Sequence, residues 1–452
     1  MSETVSISAP SLARSSAPAP APQIWVWLVV TGIALYTMFS VILNHAMRGD
    51  PDNPVFPDQV LNADVKLPFW CQTLGQVAMA LVLLGGLLYA AAPTAVRLGR
   101  QYRVLLCAWI GYSLVLAVRN LQLRDFLTSA VYSPLAPGCA LASCLLFASA
   151  DRDSWRRLIR IVAWGSVGVS LIALFQIAQM RYGSRAEAFW RIDTYAKILE
   201  ITAIVGYGWF ARTRRAWLGV IPLAVLVAAA VAMQTRLMVV ELVSLLGFYR
   251  LFSQRKLSAR ALVPMCLAGL MILMTIYFAW YSPVTLRSVL PTSATAFWDR
   301  TGEDTRSAQF VNFFAKVPPS TFLFGIGIPR QNEFNGLGEK GIDLGYANIL
   351  FLGGIPALYL YYAIHLLPAI RSMGDKFDSV DAACMASVMT YGVRLFSSTI
   401  PSFYPAYFIL LLLMGRCAVL AQEHRSRSRS VFSYPTERFG SNRKVLASGS
   451  HD

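Results

Sequence analysis

The sequence predicts an all-helical membrane protein with about a dozen transmembrane helices. Of its 452 residues, 56% are hydrophobic and only 14% are charged, a balance too apolar for a water-soluble chain of this length. Apolar runs of about 20 residues, enough to cross roughly 30 Å of hydrocarbon as a helix, recur along most of the chain. Helices suit that setting because they satisfy their own backbone hydrogen bonds.

These apolar runs divide the chain into a membrane domain and two tails. The domain covers residues 23–420 and includes a long loop at 282–340, whereas residues 1–22 and the basic segment 421–452 read as disordered tails. The predicted spans are 24–43, 67–92, 104–119, 126–149, 158–180, 194–211, 217–234, 237–252, 261–281, 342–367, 380–397 and 402–420.

The positions of Lys and Arg predict the orientation of these spans, because positively charged loops stay in the cytoplasm. Arginine clusters fall at 97–103, 152–160, 212–215 and 250–260, on alternate sides of the predicted helices. Both termini are then cytoplasmic and the long loop faces outward. The net charge of +16 therefore reflects topology and gives no support to nucleic-acid binding, since no folded basic module is present.

A second group of arginines falls on the outward side, where this rule does not explain it. Arginine suits phosphate because its planar fork donates two parallel hydrogen bonds and keeps its charge. Solvated or snorkelling side chains are the alternative, which we favour for Arg124, Arg181, Arg287 and Arg300. The whole group is Arg119, Arg124, Arg181, Arg185, Arg191, Arg236, Arg287, Arg300, Arg306, Arg330 and Arg394.

Arg236 stands out because it interrupts two apolar runs with almost no loop around it. A guanidinium there must find a partner or a polar cavity. Glu241 is a candidate partner, and Glu200 with Lys197 is a similar pair at helical spacing. Both pairs are equally compatible with ion pairs that only hold the helices together.

The long outer loop contains its own pattern. Arg306 precedes residues 307–316, whose apolar residues recur at helical spacing and predict an amphipathic helix at the interface. Gly-Ile-Gly at 325–327 then predicts a turn back to the membrane. Asp343 directly precedes the next apolar run. Its position suits either a reactive carboxylate or a simple helix N-cap.

Together these motifs resemble the superfamily of O-antigen ligases and Wzy polymerases, which are bacterial envelope glycosyltransferases. The resemblance covers residues 181–367, and its specificity lies in the order of the motifs. The matching elements are Arg185 or Arg191 ahead of Asp193-Thr194-Tyr195-Ala196, Thr235-Arg236, Asp304-Thr305-Arg306, Gly325-Ile326-Gly327, and Asp343-Leu344-Gly345-Tyr346 with Gly354.

The resemblance implies glycosyl transfer, without metal or cofactor, between glycans carried on undecaprenyl pyrophosphate at the periplasmic face of the inner membrane. The family positions imply that Arg185 or Arg191, Arg236 and Arg306 bind the departing pyrophosphate, where fixed cations help most. Asp343 would accept the proton of the attacking hydroxyl. Glu241, Tyr346 and Arg394 are candidates for a supporting role.

One departure from the family pattern separates its branches. Ligases usually have His-Asn where this chain has Asp343-Leu344, which favours a polymerase of exopolysaccharide or O-antigen repeat units. A ligase that transfers finished polymer to lipid A core is the alternative, and a repeat-unit flippase ranks last. Expected partners are the lipid-linked glycans and membrane lipids, with a chain-length regulator and a flippase left open.

Overall fold

The described part of the protein is almost entirely helical. The computed structural model describes Val311, scattered residues between 24 and 115, and the segments 152–179, 185–213, 215–233, 235–253, 313–326, 345–396 and 405–432. No strand occurs within these residues, which contain only an isolated β-bridge between Ser253 and Phe377. The all-helical prediction is confirmed for this part of the chain.

The continuous segments form helices. Most ends of the helices that match predicted spans lie within three residues of the predicted boundary, and the exceptions are the starts at Arg152 and Arg185 and the end at Phe432. They are α1 (Arg152–Ala178), α2 (Arg185–Phe210), α3 (Ala216–Ala232), α4 (Arg236–Phe252), α5 (Pro319–Phe324), α6 (Gly345–His365), α7 (Leu367–Arg371), α8 (Ser379–Arg394) and α9 (Pro405–Phe432). The scattered residues within the predicted spans 24–43, 67–92 and 104–119 are helical as well.

Two of these helices are long and apolar enough to cross a membrane: Trp155–Ala178 within α1, and α6. The shorter α3 is apolar too. Several large apolar side chains of α1 are exposed, among them Ile161 at 64% and Phe175 at 60%, and an apolar surface of this kind is typical of contact with lipid. The predicted spans 126–149 and 261–281 lie outside the described residues, and the count of twelve stays a prediction.

Helix α2 is the central element of the described bundle. It packs against α1, α3, α8 and α9, and its residues from Ile192 to Gly208 are buried on nearly every side. A helix that is apolar all round belongs in the interior of a bundle. The same helix carries the buried charges Asp193 and Glu200, which therefore need partners from its neighbours.

The start of α8 is fixed by a set of polar contacts that we call the Asp378 face. Asp378 caps α8 by accepting hydrogen bonds from the backbone N–H of Val380 at 2.9 Å and of Asp381 at 3.1 Å, and it forms an ion pair with Arg212 beyond the end of α2. Arg416 of α9 binds both carboxylate oxygens of Asp381 at 3.2 Å.

The end of α8 lies on the opposite side of the bundle, which we call the Arg394 face. There the backbone N–H of Tyr346, at the start of α6, donates to the carbonyl of Leu395 at 3.1 Å. Asp381 and Arg394 are separated along α8 by about 20 Å, given a rise of about 1.5 Å per residue. The alternation of helix ends between these two faces agrees with the alternation that the sequence predicts.

One boundary prediction was wrong. Helix α9 continues to Phe432, so residues 421–432 are helical and do not belong to the disordered tail. The segment from Ala421 onward contains helix-forming residues and no proline before Pro435. Its arginines also lie where positive charge stabilises the C-terminal end of a helix.

Replacing Arg416 with Met should destabilise the bundle by about 3 kcal/mol, because it leaves the carboxylate of Asp381 buried without its cation. The side chains are 7% and 13% exposed. The matched control is Arg212→Met, whose ion pair is 33% and 48% exposed and should contribute under about 1 kcal/mol. Unfolding of the purified protein in mixed micelles measures both changes, and equal losses would contradict the assignment.

Candidate functional site

A buried group of three charged side chains joins three helices, and we call it the Arg394 triad. Arg394, the last residue of α8, donates through Nη1 to Glu200 of α2 and to Glu241 of α4, the latter at 3.1 Å. Glu200 is 8% exposed, Glu241 3% and Arg394 5%. The triad thus connects the middle of α2, the first turns of α4 and the end of α8.

The triad contains one cation for two carboxylates. Burying an ion is costly unless it is paired and hydrogen-bonded, and residues of this kind inside apolar helices pair with one another or face a polar cavity. Glu241 Oε1 forms no hydrogen bond within the described part of the chain. Removing Arg394 would therefore leave two neighbouring buried carboxylates, so the three helices depend on a single guanidinium.

A second ion pair lies along the same side of α2. Lys197 Nζ contacts Asp193 Oδ2 at 3.1 Å, and the two side chains are 16% and 7% exposed. Asp193, Lys197 and Glu200 follow at helical spacing, which aligns them in one row along α2. Nearer the start of the helix, Arg191 donates to Gln176 Oε1 of α1 at 3.5 Å.

These contacts differ from the pairs that the sequence predicts. Glu200 pairs with Arg394, although Lys197 lies only three residues away, and Lys197 pairs with Asp193. Glu241 also pairs with Arg394, while the side chain of its expected partner Arg236 lies outside the described residues. Asp193 was overlooked as an ion-pair partner, although its spacing to Lys197 was available in the sequence.

The turn between α3 and α4 is as short as the sequence predicts. Helix α3 ends at Ala232 and α4 begins at Arg236, with Thr235 in the N-cap position. Met233 and Met238, on either side of the turn, pack in one apolar cluster with Ile192 and other residues of α2. The turn that carries Arg236 is thus anchored in the same apolar cluster as the residue that follows Arg191 in α2.

Tyr346 joins the start of α6 to the same face. Its hydroxyl donates to the carbonyl of Gly392 at 3.0 Å, and its ring packs edge-on against Phe396 with centroids 4.9 Å apart. The three supporting candidates are thus brought together, because Glu241 contacts Arg394 directly and Tyr346 contacts the residues around it.

Helix α6 is broken at Gly354, where φ is 68° and ψ is −170°. Pro356 follows and has no N–H to donate. The carbonyls released by the break are bound by other segments: Ile326 N–H donates to Phe351 O at 2.9 Å, and the Tyr112 hydroxyl donates to Gly353 O at 2.6 Å.

Gly325, also at a φ of 68°, meets this break. A Cβ on Gly325 would lie 2.2 Å from Leu352 O, and one on Gly354 would lie 2.6 Å from Leu323 O. Both positions therefore require glycine for their left-handed backbone and for the close approach. The turn that the sequence predicts at residues 325–327 is confirmed at Gly325, and its contact with Gly354 is new.

The structure describes the remaining candidate site residues only in part. Asp343 and Arg306 lie outside the described residues, and Arg185 and Arg236 are described as the first backbone residues of α2 and α4. No group of three or more His, Cys, Asp or Glu side chains able to hold a metal ion occurs within the described residues.

No protein-family model, curated protein or solved structure matches this chain. The resemblance to glycosyltransferases therefore stays a prediction, and the geometry of the site carries the functional argument.

Replacing Gly325 or Gly354 with Ala should destabilise the protein by at least about 1–2 kcal/mol, the cost of left-handed backbone for a residue with a Cβ. The backbone clashes add to this cost. The control is Gly247→Ala in α4, where an added Cβ meets nothing within 4 Å and which should gain up to about 1 kcal/mol. Thermal unfolding compares the three variants, and wild-type stability of both Gly325→Ala and Gly354→Ala would contradict the packing described.

Proposed function

We propose that this protein is a membrane glycosyltransferase that polymerises oligosaccharide repeat units carried on undecaprenyl pyrophosphate, making an exopolysaccharide or O-antigen. In this proposal it crosses the bacterial inner membrane about twelve times with both termini in the cytoplasm. The reaction takes place at the periplasmic face and needs no metal ion.

One observation carries the proposal: helix ends that bear predicted site residues converge on the Arg394 face. Met238, two residues after Arg236, belongs to the same apolar cluster as Ile192, the neighbour of Arg191 in α2. The start of α6, two residues after Asp343 in the sequence, is bonded to the end of α8 beside Arg394. This arrangement supports a site in which the proposed phosphate-binding arginines and the proposed base belong to neighbouring elements.

The distribution of charge supports an outward orientation of this face. The Asp378 face carries Arg212, Lys376 and Arg416, three residues that the sequence assigns to the cytoplasmic side. Positive charge of this kind stays on the cytoplasmic side. The Arg394 face is then the periplasmic one, where lipid-linked repeat units would be joined.

In the proposed reaction, a hydroxyl of the acceptor sugar attacks C1 of the donor sugar while Asp343 accepts the proton of that hydroxyl. The new glycosidic bond forms as the bond between C1 and the pyrophosphate oxygen breaks, and undecaprenyl pyrophosphate leaves with the electron pair. Arg236 and Arg306, with Arg185 or Arg191, offset the charge that develops on the leaving group. Arg394 is already paired with two carboxylates and acts as a positioning residue.

Cells carrying Arg236→Ala or Asp343→Asn should make surface polysaccharide with far shorter chains, because a lost transition-state contact costs about 10²-fold or more in rate. Chain length on gels, at matched membrane levels of the protein, measures the effect. The control is Arg160→Ala, an exposed arginine of α1 on the predicted cytoplasmic side. Wild-type chain lengths in both site variants would refute the site assignment.

Deleting the gene should leave single repeat units on undecaprenyl pyrophosphate in the periplasmic leaflet. Extraction of the lipid carriers followed by mass spectrometry of the released glycans measures this. Accumulation of long lipid-linked polymer would instead identify a ligase, and repeats trapped on the cytoplasmic leaflet would identify a flippase.

A further inference from the structure

A cavity of about 470 Å³ lies beside the break in α6, and the reaction proposed above does not use it. Tyr112, Ser320, Thr321 and Phe324 line it together with Gly325. Its volume falls within the range of about 300–1,000 Å³ that is typical of small-molecule sites. We call it the Gly325 cavity.

The break beside the cavity lies at the depth of the hydrocarbon layer. Gly354, which Gly325 contacts, lies about 13 Å along α6 from the helix start, given a rise of about 1.5 Å per residue. In a helix that crosses the membrane, this is close to the middle of the hydrocarbon layer. Non-helical backbone at such a depth is tolerated only where protein covers it or where it lines a water-filled cavity.

The lining indicates the chemistry of the ligand. None of the described residues that line the Gly325 cavity is charged, so this part of the lining offers no cation to a pyrophosphate. The hydroxyls of Ser320 and Thr321 can donate and accept hydrogen bonds. The rings of Tyr112 and Phe324 offer flat apolar faces of the kind on which the C–H faces of sugar rings pack.

We propose that the Gly325 cavity opens to the periplasm and binds the uncharged sugar rings of the acceptor glycan. This inference rests on the proposed function and adds a neutral sugar subsite to it. The broken helix supports the cavity from outside its lining. Gly325, which lines the cavity, packs against Leu352 and Gly353 of α6, and the lining residue Tyr112 donates a hydrogen bond to Gly353 O.

Cysteine labelling in intact spheroplasts tests the access of water. The starting variant retains the buried Cys384 and Cys417 and replaces the other five of the seven cysteines with alanine. In this background, Ser320→Cys should react with a membrane-impermeant sulfonated maleimide at least about tenfold faster than Val243→Cys, because a thiolate forms readily only in water. Val243 is the matched control, since it is 66% exposed on α4 and does not line the cavity.

Protection by glycan tests the ligand. The probe is the repeat-unit oligosaccharide released from the lipid carrier by mild acid. At about ten times its Kd, about one site in eleven stays empty, so labelling of Ser320→Cys should slow about tenfold. Slow labelling without glycan, equal to that of Val243→Cys, would overturn the water-filled cavity. If labelling is fast and undecaprenyl phosphate slows it but the oligosaccharide does not, the cavity binds the lipid carrier and the proposal of a sugar subsite is overturned.

A second variant separates this inference from the proposed function. Thr321→Val removes one hydroxyl and keeps the shape of the side chain, so it should raise the KM for the acceptor and leave kcat unchanged. An unchanged KM would count against the subsite. Labelling and protection require no sugar transfer, so they can succeed or fail independently of the chain-length and deletion experiments.

Discussion

The structure depends on one guanidinium that is shared by two carboxyl groups inside the bundle. Glu200, Glu241 and Arg394 come from three helices that are far apart in the sequence, and each interrupts an otherwise apolar surface. Since an unpaired buried charge is strongly destabilising, α2, α4 and α8 can pack only in the arrangement that satisfies all three. The Asp381–Arg416 pair at the other end of α8 imposes the same condition on α9. Helix α8 is therefore held at both ends by charge and along its middle by apolar packing.

The sequence predicted the helices of the described bundle but not the partners of its charges. Apolar runs and the tight Thr235-Arg236 turn are local features, and most of the observed helix ends follow them, whereas α2 begins nine residues before its predicted span. The choice of Arg394 for Glu200 is not local, because it spans 194 residues and depends on which helices are neighbours. Spacing along α2 allows Lys197 to pair with Asp193 or Glu200, and only the approach of α8 decides between them. At residues 421–432 the local composition was misleading, because it predicted disorder and α9 continues through them.

The break in α6 depends on local residues of the helix and on a contact with a segment that is distant in the sequence. Gly354 and Pro356 predict an irregular backbone wherever they occur, and Gly325 independently predicts a turn. What the sequence does not contain is their contact, in which each glycine makes room for the backbone of the other segment. Because the released carbonyls are bound by Ile326 and Tyr112, the break requires all three segments to be in place. Irregular backbone inside a helix bundle is tolerated where other segments bind its free groups in this way.

The electrostatics of the Arg394 face constrain how a pyrophosphate can bind there. Arg394 shares its single positive charge between Glu200 and Glu241, so the Arg394 triad carries no net positive charge, and the Asp193–Lys197 pair beside it adds none. The triad by itself therefore does not attract an anion, so attraction has to come from arginines outside it, among which Arg191 and Arg236 belong to the adjoining elements. In the proposed reaction this arrangement separates two roles. Arg394 would hold the helices in place, whereas the outer arginines would bind the charge that develops on the leaving group.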